Sequence, residues 1–227
     1  KLDASRTLLY ETARYVDVYK ALDDIAKERK LTPEERQEQK TFSKLADSFT
    51  PLAKGIGSEF ANQNAYDCIQ IHGGSGFMKD YACERIYRDS RITSIYEGTT
   101  QLQVVAAIRY VTTGAYLAKI REYETAQVAP EFEGLKNRLK ELANKYEAIV
   151  TKITEEKDQE LIDFAARRLV EMSAHLIMSH LMVQDASKND LFTESAHVYV
   201  RFAESEIDKH VTFLCKFDKD DLAYYRK

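Results

Sequence analysis

Hydrophobic residues recur every three or four positions at the start of the chain, with charged residues between them, which is the pattern of an amphipathic helix. This pattern predicts a helix from Leu2 to about Tyr19. Lys, Glu, Arg and Gln dominate residues 21–43, where Thr32 can cap a helix that has Pro33 at its first position. We therefore expect an exposed connector that contains a short helix.

A second long helix is predicted to begin at Thr50 and Pro51 and to end near Ile71. Gly55 and Gly57 weaken its first turns by about 1 kcal/mol each relative to alanine. Glycines at these positions favour the close approach of a neighbouring element.

Residues 70–103 form the irregular centre of the chain and hold four of its eight glycines. A short polar helix is predicted around Ala82–Asp89. The glycines at 73–76 and the helix entrance at 96–99 offer backbone N–H groups that can approach a phosphate or another anion, with the Glu97 carboxylate beside them. On pattern alone, such clusters are more often ordinary turns, and such a glutamate more often only favours the helix dipole.

The next helix should begin at Thr99 or Thr100, because Thr100 and Gln103 have the spacing of a capping box. It should continue to about Thr112, after which Gly114 breaks the pattern.

Beyond about residue 130, the hydrophobic spacing predicts three helices that pack as a bundle, the last of them over residues 191–217. The spacing favours a bundle core over a membrane anchor, with amphipathic docking on a membrane as the minor alternative. Two stripes carry this prediction: Leu135, Leu139, Leu142, Tyr146, Ile149 and Ile153, then Leu161, Ala165, Leu169, Met172 and Leu176.

Composition favours an all-α fold, since 8 Gly and 3 Pro in 227 residues leave too few turns for a β-sandwich or barrel. A net charge of -4 gives no general attraction for nucleic acid. The three cysteines are odd in number and widely spaced, so we interpret them as reduced, buried thiols of a cytoplasmic protein and not as disulfides or a zinc site. Because the first residue is Lys1 and not Met, and a helical pattern begins at once with Leu2, we expect a piece of a longer protein.

Three linked motifs resemble, almost position for position, the C-terminal helical domain of the flavin-dependent acyl-CoA dehydrogenases. They are QIHGGSGFMKDY at 70–81, ERIYRDSRI at 84–92 and IYEGTTQLQ at 95–103. LDASR at 2–6 is similar to the family's second C-terminal helix, and TPLAK at 50–54 to a subgroup with an insertion before this point and a long C-terminal extension.

This resemblance implies that residues 1–114 are the latter part of that helical domain and residues 115–227 a helical extension, within a larger enzyme that also has a β domain. Such an oxidoreductase acts in fatty acid β-oxidation and converts an acyl-CoA to a trans-2-enoyl-CoA. By itself the chain is expected to fold but to be inactive.

Glu97 matches the family's catalytic base, which removes the α-proton while the β-hydride passes to FAD. Gly98 keeps the backbone open to the thioester carbonyl. Tyr96 would line the acyl pocket, with core packing as the alternative.

The resemblance also places FAD contacts on this chain. Thr99 and Gln101 match flavin-contacting positions; the alternative for Thr99 is a simple helix cap, and one hydroxyl can serve both roles. Gln70, Gly73 and Gly74 match positions that contact the FAD of a neighbouring subunit, which implies a homodimer or homotetramer. The implied electron acceptor is an electron-transferring flavoprotein; the alternatives are an acyl-CoA oxidase and a non-enzymatic helical oligomerisation or binding module.

The remaining polar candidates have structural interpretations. We expect His72 to bond to the backbone at a helix end and the charges over residues 85–91 to form ion pairs. His175 and His180 are five residues apart and do not share a helix face, so no metal site is predicted from them.

Overall fold

The fold is all-α, as predicted: the computed structural model describes residues 1–226, and no strand occurs among them. No helix within this part of the chain combines the length and the hydrophobicity needed to cross a bilayer. The predicted extension, residues 115–227, ends one residue outside the described ones. The helices are α1 (Leu2–Glu28), α2 (Pro33–His72), α3 (Gly74–Phe77), α4 (Ala82–Thr93), α5 (Thr100–Thr112), α6 (Ala115–Glu124), α7 (Glu133–Glu155), α8 (Gln159–Ala186) and α9 (Thr193–Lys216).

The chain divides into two compact units. The N-terminal unit contains Leu2 and Ala4–Gln103, and the C-terminal unit contains Lys1, Asp3 and the chain from Val104 onward. The change from one unit to the other falls within α5.

Two long helices replace the predicted connector in the N-terminal unit. Helix α1 continues to Glu28, and α2 runs for 40 residues without a break. The predicted cap is confirmed: the Thr32 hydroxyl accepts from the Glu35 N–H at 3.2 Å, and the Thr32 N–H donates to the Glu35 carboxylate at 2.8 Å. The prediction of a short helix over residues 21–43 is wrong, because the helix that starts at this cap does not stop.

Pro51 lies inside α2 and not at its start. A proline in a helix interior costs about 3 kcal/mol, because it removes a hydrogen bond and crowds the preceding turn. The face beside it is thoroughly buried: Phe49 and Leu52 are inaccessible, and Tyr15 of α1 meets Phe49 edge-on with ring centroids 5.0 Å apart. Burial of this apolar face offsets the cost of the proline, which local propensity alone does not anticipate.

The C-terminal unit is a helical bundle around α8, which is buried along most of its length. Helices α7 and α9 pack on α8 and on each other, as the two hydrophobic stripes predicted, and α6 also packs on α7 and α8. Sequence analysis did not identify α6. Within the bundle, His175 Nδ1 lies 3.0 Å from the Tyr199 hydroxyl, and the His180 ring stacks on Tyr123.

Candidate active site

The turn between α4 and α5 has an unusual backbone. Glu97 has φ 53° and Gly98 has φ 94°, so both lie in the left-handed region. For a residue other than glycine this conformation costs roughly 1 kcal/mol or more, and it persists only where the surroundings hold it. The Gln103 side-chain amide supplies that support: its Nε2 donates to the Gly98 carbonyl at 3.2 Å and to the Glu97 carbonyl at 3.5 Å.

Gly98 is required here for two reasons. Its positive φ is unfavourable for other residues, and a Cβ at this position would lie 2.7 Å from Gln103 Nε2. Glu97 itself is exposed. Among residues 1–226 its carboxylate has no ion-pair partner and its N–H donates to no backbone carbonyl. The exposed Glu97 side chain is therefore accessible, and its N–H has no backbone acceptor in this part of the chain.

Helix α5 begins at Thr100, directly after this turn, and the preceding residue, Thr99, is its N-cap. The Thr99 hydroxyl accepts from the Leu102 N–H at 3.3 Å, so the cap interpretation of Thr99 is confirmed. The predicted capping box at Thr100 is wrong. Gln103 binds the turn carbonyls instead, and the Thr100 hydroxyl donates to the Glu59 carboxylate at 2.6 Å.

The N-terminus of α5 lies against α2 at Gly55. A Cβ at Gly55 would be 3.2 Å from Gln103 Cβ, whereas a Cβ at Gly57 would meet nothing within 4 Å. The predicted close approach is confirmed at Gly55 only. This close approach positions Gln103, whose side-chain amide donates to the carbonyls of the turn.

An open cleft of about 550 Å³ adjoins the turn within the N-terminal unit. Thr99 and Gln101, both predicted to contact flavin, line this cleft. Sequence analysis did not identify most of the other residues that line the cleft. Four of those residues have the spacing of a single face of α2. The missed residues are Glu59, Asn62, Gln63 and Tyr66 from α2, and Tyr87 and Arg91 from α4.

The other predicted site residues lie outside this cleft. Gln70, Gly73 and Gly74 are exposed at the end of α2 and in the turn that follows. Tyr96 is 49% exposed, with the Lys54 ammonium 4.6 Å from its ring centroid, so it is not part of the core of the unit.

The remaining polar candidates are held by local contacts. His72 is the last residue of α2, and its Nδ1 lies 2.8 Å from the Cys68 carbonyl, as expected. Arg88 lies 3.8 Å from the Glu84 carboxylate, and Arg91 donates to the hydroxyl that follows α4.

The cysteines differ from their predicted environment. Only Cys83 is buried; Cys68 is half-buried and Cys215 is exposed. Widely spaced along the chain, Cys68 and Cys83 nevertheless have their Sγ atoms 3.5 Å apart.

Comparison with known families covers both units. The profile of the family described as "Acyl-CoA dehydrogenase, C-terminal domain" matches residues 1–111. The profile described as "Acyl-CoA dehydrogenase C terminal" matches residues 112–222. Together they account for nearly all of the sequence.

Individual relatives match shorter stretches. An acyl-CoA dehydrogenase of Bacillus subtilis is 44% identical over 63 residues, which are 28% of this chain and 17% of the relative. The caffeyl-CoA reductase-Etf complex subunit CarC of Acetobacterium woodii is 35% identical over 103 residues, 45% of this chain and 21% of the relative. The matched stretches thus span about a fifth of these relatives or less.

A solved acyl-CoA dehydrogenase from Bacillus anthracis, complexed with FAD, has the same fold. It aligns with 97% of this chain and 41% of its own length, with a TM-score of 0.64 and 22% identity.

Proposed function

Because the chain belongs to the acyl-CoA dehydrogenase family, we propose that it is the C-terminal part of an FAD-dependent oxidoreductase that converts an acyl-CoA thioester to its trans-2-enoyl-CoA. The observation that carries this proposal is the Glu97-Gly98 turn. A glutamate is held there in a left-handed conformation, with its side chain exposed and its N–H without a backbone acceptor in residues 1–226.

Glu97 is the proposed catalytic base. The α-proton of a thioester is weakly acidic, so its removal requires a carboxylate shielded from water and a polarised carbonyl. Polarisation is a role for the Glu97 N–H, which makes no backbone hydrogen bond in residues 1–226. Gly98 keeps that N–H uncovered, and Tyr96 borders the acyl group. Because Glu97 is exposed in this chain, the shielding must come from bound ligands and from parts of the enzyme outside it.

The residues of the cleft suit FAD. When bound, FAD supplies the acceptor for the hydride that leaves the β-carbon. Thr99 and Gln101 offer a hydroxyl and an amide at the N-terminus of α5, where the helix dipole favours electron-rich groups. These two residues are the proposed contacts to the flavin of the same subunit.

Gln70, Gly73 and Gly74 are the proposed contacts to the FAD of a second subunit, in a homodimer or homotetramer. Their exposure supports this assignment, because a residue that touches a partner must be accessible in the single chain. Large apolar side chains close by in the sequence are exposed as well, including Ile71 at 83% and Phe77 at 75%. Such residues commonly mark an interface.

The proposed electron acceptor is an electron-transferring flavoprotein. One relative is named as a subunit of a complex with Etf, which supports this choice. An oxidase would consume oxygen on addition of acyl-CoA, so parallel assays with oxygen and with the flavoprotein separate the two acceptors. A non-enzymatic module would bind no flavin at all.

The test is anaerobic mixing of the FAD-loaded enzyme that contains this chain with a series of acyl-CoA thioesters. We expect the flavin absorbance to bleach in the wild type and in Glu38→Gln, an exposed control in α2. Glu97→Gln should retain FAD and lose bleaching by roughly a thousandfold or more, since the base is removed. Bleaching at the wild-type rate in Glu97→Gln would overturn the assignment of the base.

A further inference from the structure

Two cysteines and one histidine of the N-terminal unit converge at the end of α2. Cys68 and His72 are one turn apart on the same face of α2, and Cys83 lies in the first turn of α4. Cys68 Sγ is 3.5 Å from Cys83 Sγ and 3.8 Å from His72 Nδ1. The three potential ligand atoms all lie within 4.8 Å of one another.

The two separations measured from Cys68 Sγ are close to those in tetrahedral metal coordination. Two thiolates on one zinc ion, each at about 2.3 Å, have sulfurs about 3.8 Å apart, and a thiolate and an imidazole nitrogen on the same ion are about 3.6 Å apart. The separations of Cys68 from Cys83 and from His72 differ from these values by only a few tenths of an ångström. A disulfide would instead need the sulfurs to approach from 3.5 Å to about 2.05 Å. The spacing suits a shared cation, which would replace the thiol–thiol hydrogen bond that joins the two cysteines here.

We propose that Cys68, His72 and Cys83 form a binding site for a borderline-soft divalent cation of the zinc type, with a fourth position open to solvent. Both thiols release their protons to solvent on binding, and the imidazole binds as the neutral ring. Buried Cys83 forms the inner wall of the site, while half-buried Cys68 and exposed His72 leave a path for entry.

The surroundings already orient these ligands. Helices α2 and α4 pack together, which holds the two sulfurs near each other without the ion. The His72 ring is held by the contact of Nδ1 with the Cys68 carbonyl. Coordination uses Nδ1, the nitrogen that lies 3.8 Å from Cys68 Sγ, and the ion then replaces the Cys68 carbonyl as its partner.

This inference is independent of the proposed flavin chemistry, because none of the three residues takes part in that mechanism. Spacing along the chain did not predict the site, since 15 residues separate the two cysteines. Only the packing of α4 on α2 brings them together.

The test is titration of the 227-residue chain with Co²⁺ and then Zn²⁺ under anaerobic, reducing conditions. We expect one equivalent of Co²⁺ to produce a thiolate-to-metal charge-transfer band and the visible bands of tetrahedral cobalt, and Zn²⁺ to displace it. Zn²⁺ should also raise the melting temperature, because binding links α2 to α4.

Variants identify the ligands. Cys68→Ser and Cys83→Ser should abolish the charge-transfer band, and His72→Asn should weaken binding by more than the roughly tenfold to hundredfold that loss of an outer-shell partner costs. Cys215→Ser is the matched control and should bind like the wild type, since Cys215 is exposed and belongs to the C-terminal unit. Helical circular dichroism, together with the milder Cys68→Ala, separates loss of a ligand from misfolding.

Three results would each overturn the proposal. One is the absence of a charge-transfer band in the reduced wild type. Another is Co²⁺ binding that survives in both Cys68→Ser and Cys83→Ser, or Co²⁺ binding that is lost in Cys215→Ser although this variant is folded. The third is an unchanged affinity in His72→Asn, which would remove His72 from the site.

Discussion

Glu97 and Gly98, in the turn between α4 and α5, combine the proposed catalytic carboxylate with a left-handed backbone. Motif resemblance predicted the roles of Glu97 and Gly98, and these roles stay predictions. It could not predict the left-handed φ of Glu97 or its support by Gln103, because both depend on where α5 begins. That start is decided by competition between Thr99 and Thr100 for the cap, and Thr100 bonds to Glu59 on another helix.

Two histidines inside the C-terminal unit make its stability depend on pH. Burial lowers the pKa of His175 and of His180 to about 4, whereas an unfolded histidine has a pKa of about 6.5. Between these values the unfolded state binds more protons, so the free energy of unfolding falls as the pH is lowered from 7 toward 4. From pH 7 to pH 5 each histidine should account for a loss of about 2 kcal/mol.

His180→Phe isolates one of these contributions. In the described part of the chain the Nε2 of His180 has no hydrogen-bond partner, and its ring stacks on Tyr123, so a phenylalanine can replace it. Urea unfolding at pH 7 and pH 5 should show a smaller loss for this variant than for the wild type, by about 2 kcal/mol. The exposed control His197→Gln should keep the wild-type dependence. An equal loss in wild type and His180→Phe would contradict this account.

At the scale of elements, long-range packing decides the course of α2. The cap at Thr32 was predictable, since a capping box involves only residues close in sequence. The continuity of α2 through Pro51 was not, because it depends on burial of Phe49 against Tyr15 of α1. The hydrophobic stripes of α7 and α8 were predictable because they depend on local sequence: their spacing is regular, and these helices contain almost no glycine.

The two glycines of α2 provide a matched pair of substitutions. Gly57→Ala should raise the free energy of unfolding by about 1 kcal/mol, because alanine favours the helix and its Cβ meets nothing. Gly55→Ala carries the same propensity gain but places a Cβ 3.2 Å from Gln103 Cβ. We expect it to be less stable than Gly57→Ala by about 1 kcal/mol or more. Chemical denaturation compares the two, and equal stabilisation would refute the close approach of α5.

At the scale of the whole molecule, composition was enough to predict an all-α chain, and motif order was enough to predict the family. The predicted boundary between residues 114 and 115 stays a prediction; the division into compact units falls between Gln103 and Val104. Helix α6 was missed because its ten residues are too few for a clear hydrophobic period. The matched stretches span about a fifth or less of the two sequence relatives named above, and the aligned region covers 41% of the Bacillus anthracis enzyme. We therefore expect the chain alone to retain no FAD.

The most direct test of the central claim is exchange of the substrate α-proton with deuterated solvent. It is measured by mass spectrometry on an acyl-CoA bound to the FAD-loaded enzyme without an electron acceptor. With Glu97 as base, the wild type and Glu38→Gln exchange the α-proton, whereas Glu97→Gln retains its flavin and exchanges at least about a thousandfold more slowly. Exchange at the wild-type rate in flavin-loaded Glu97→Gln would contradict the account and place the base on another residue.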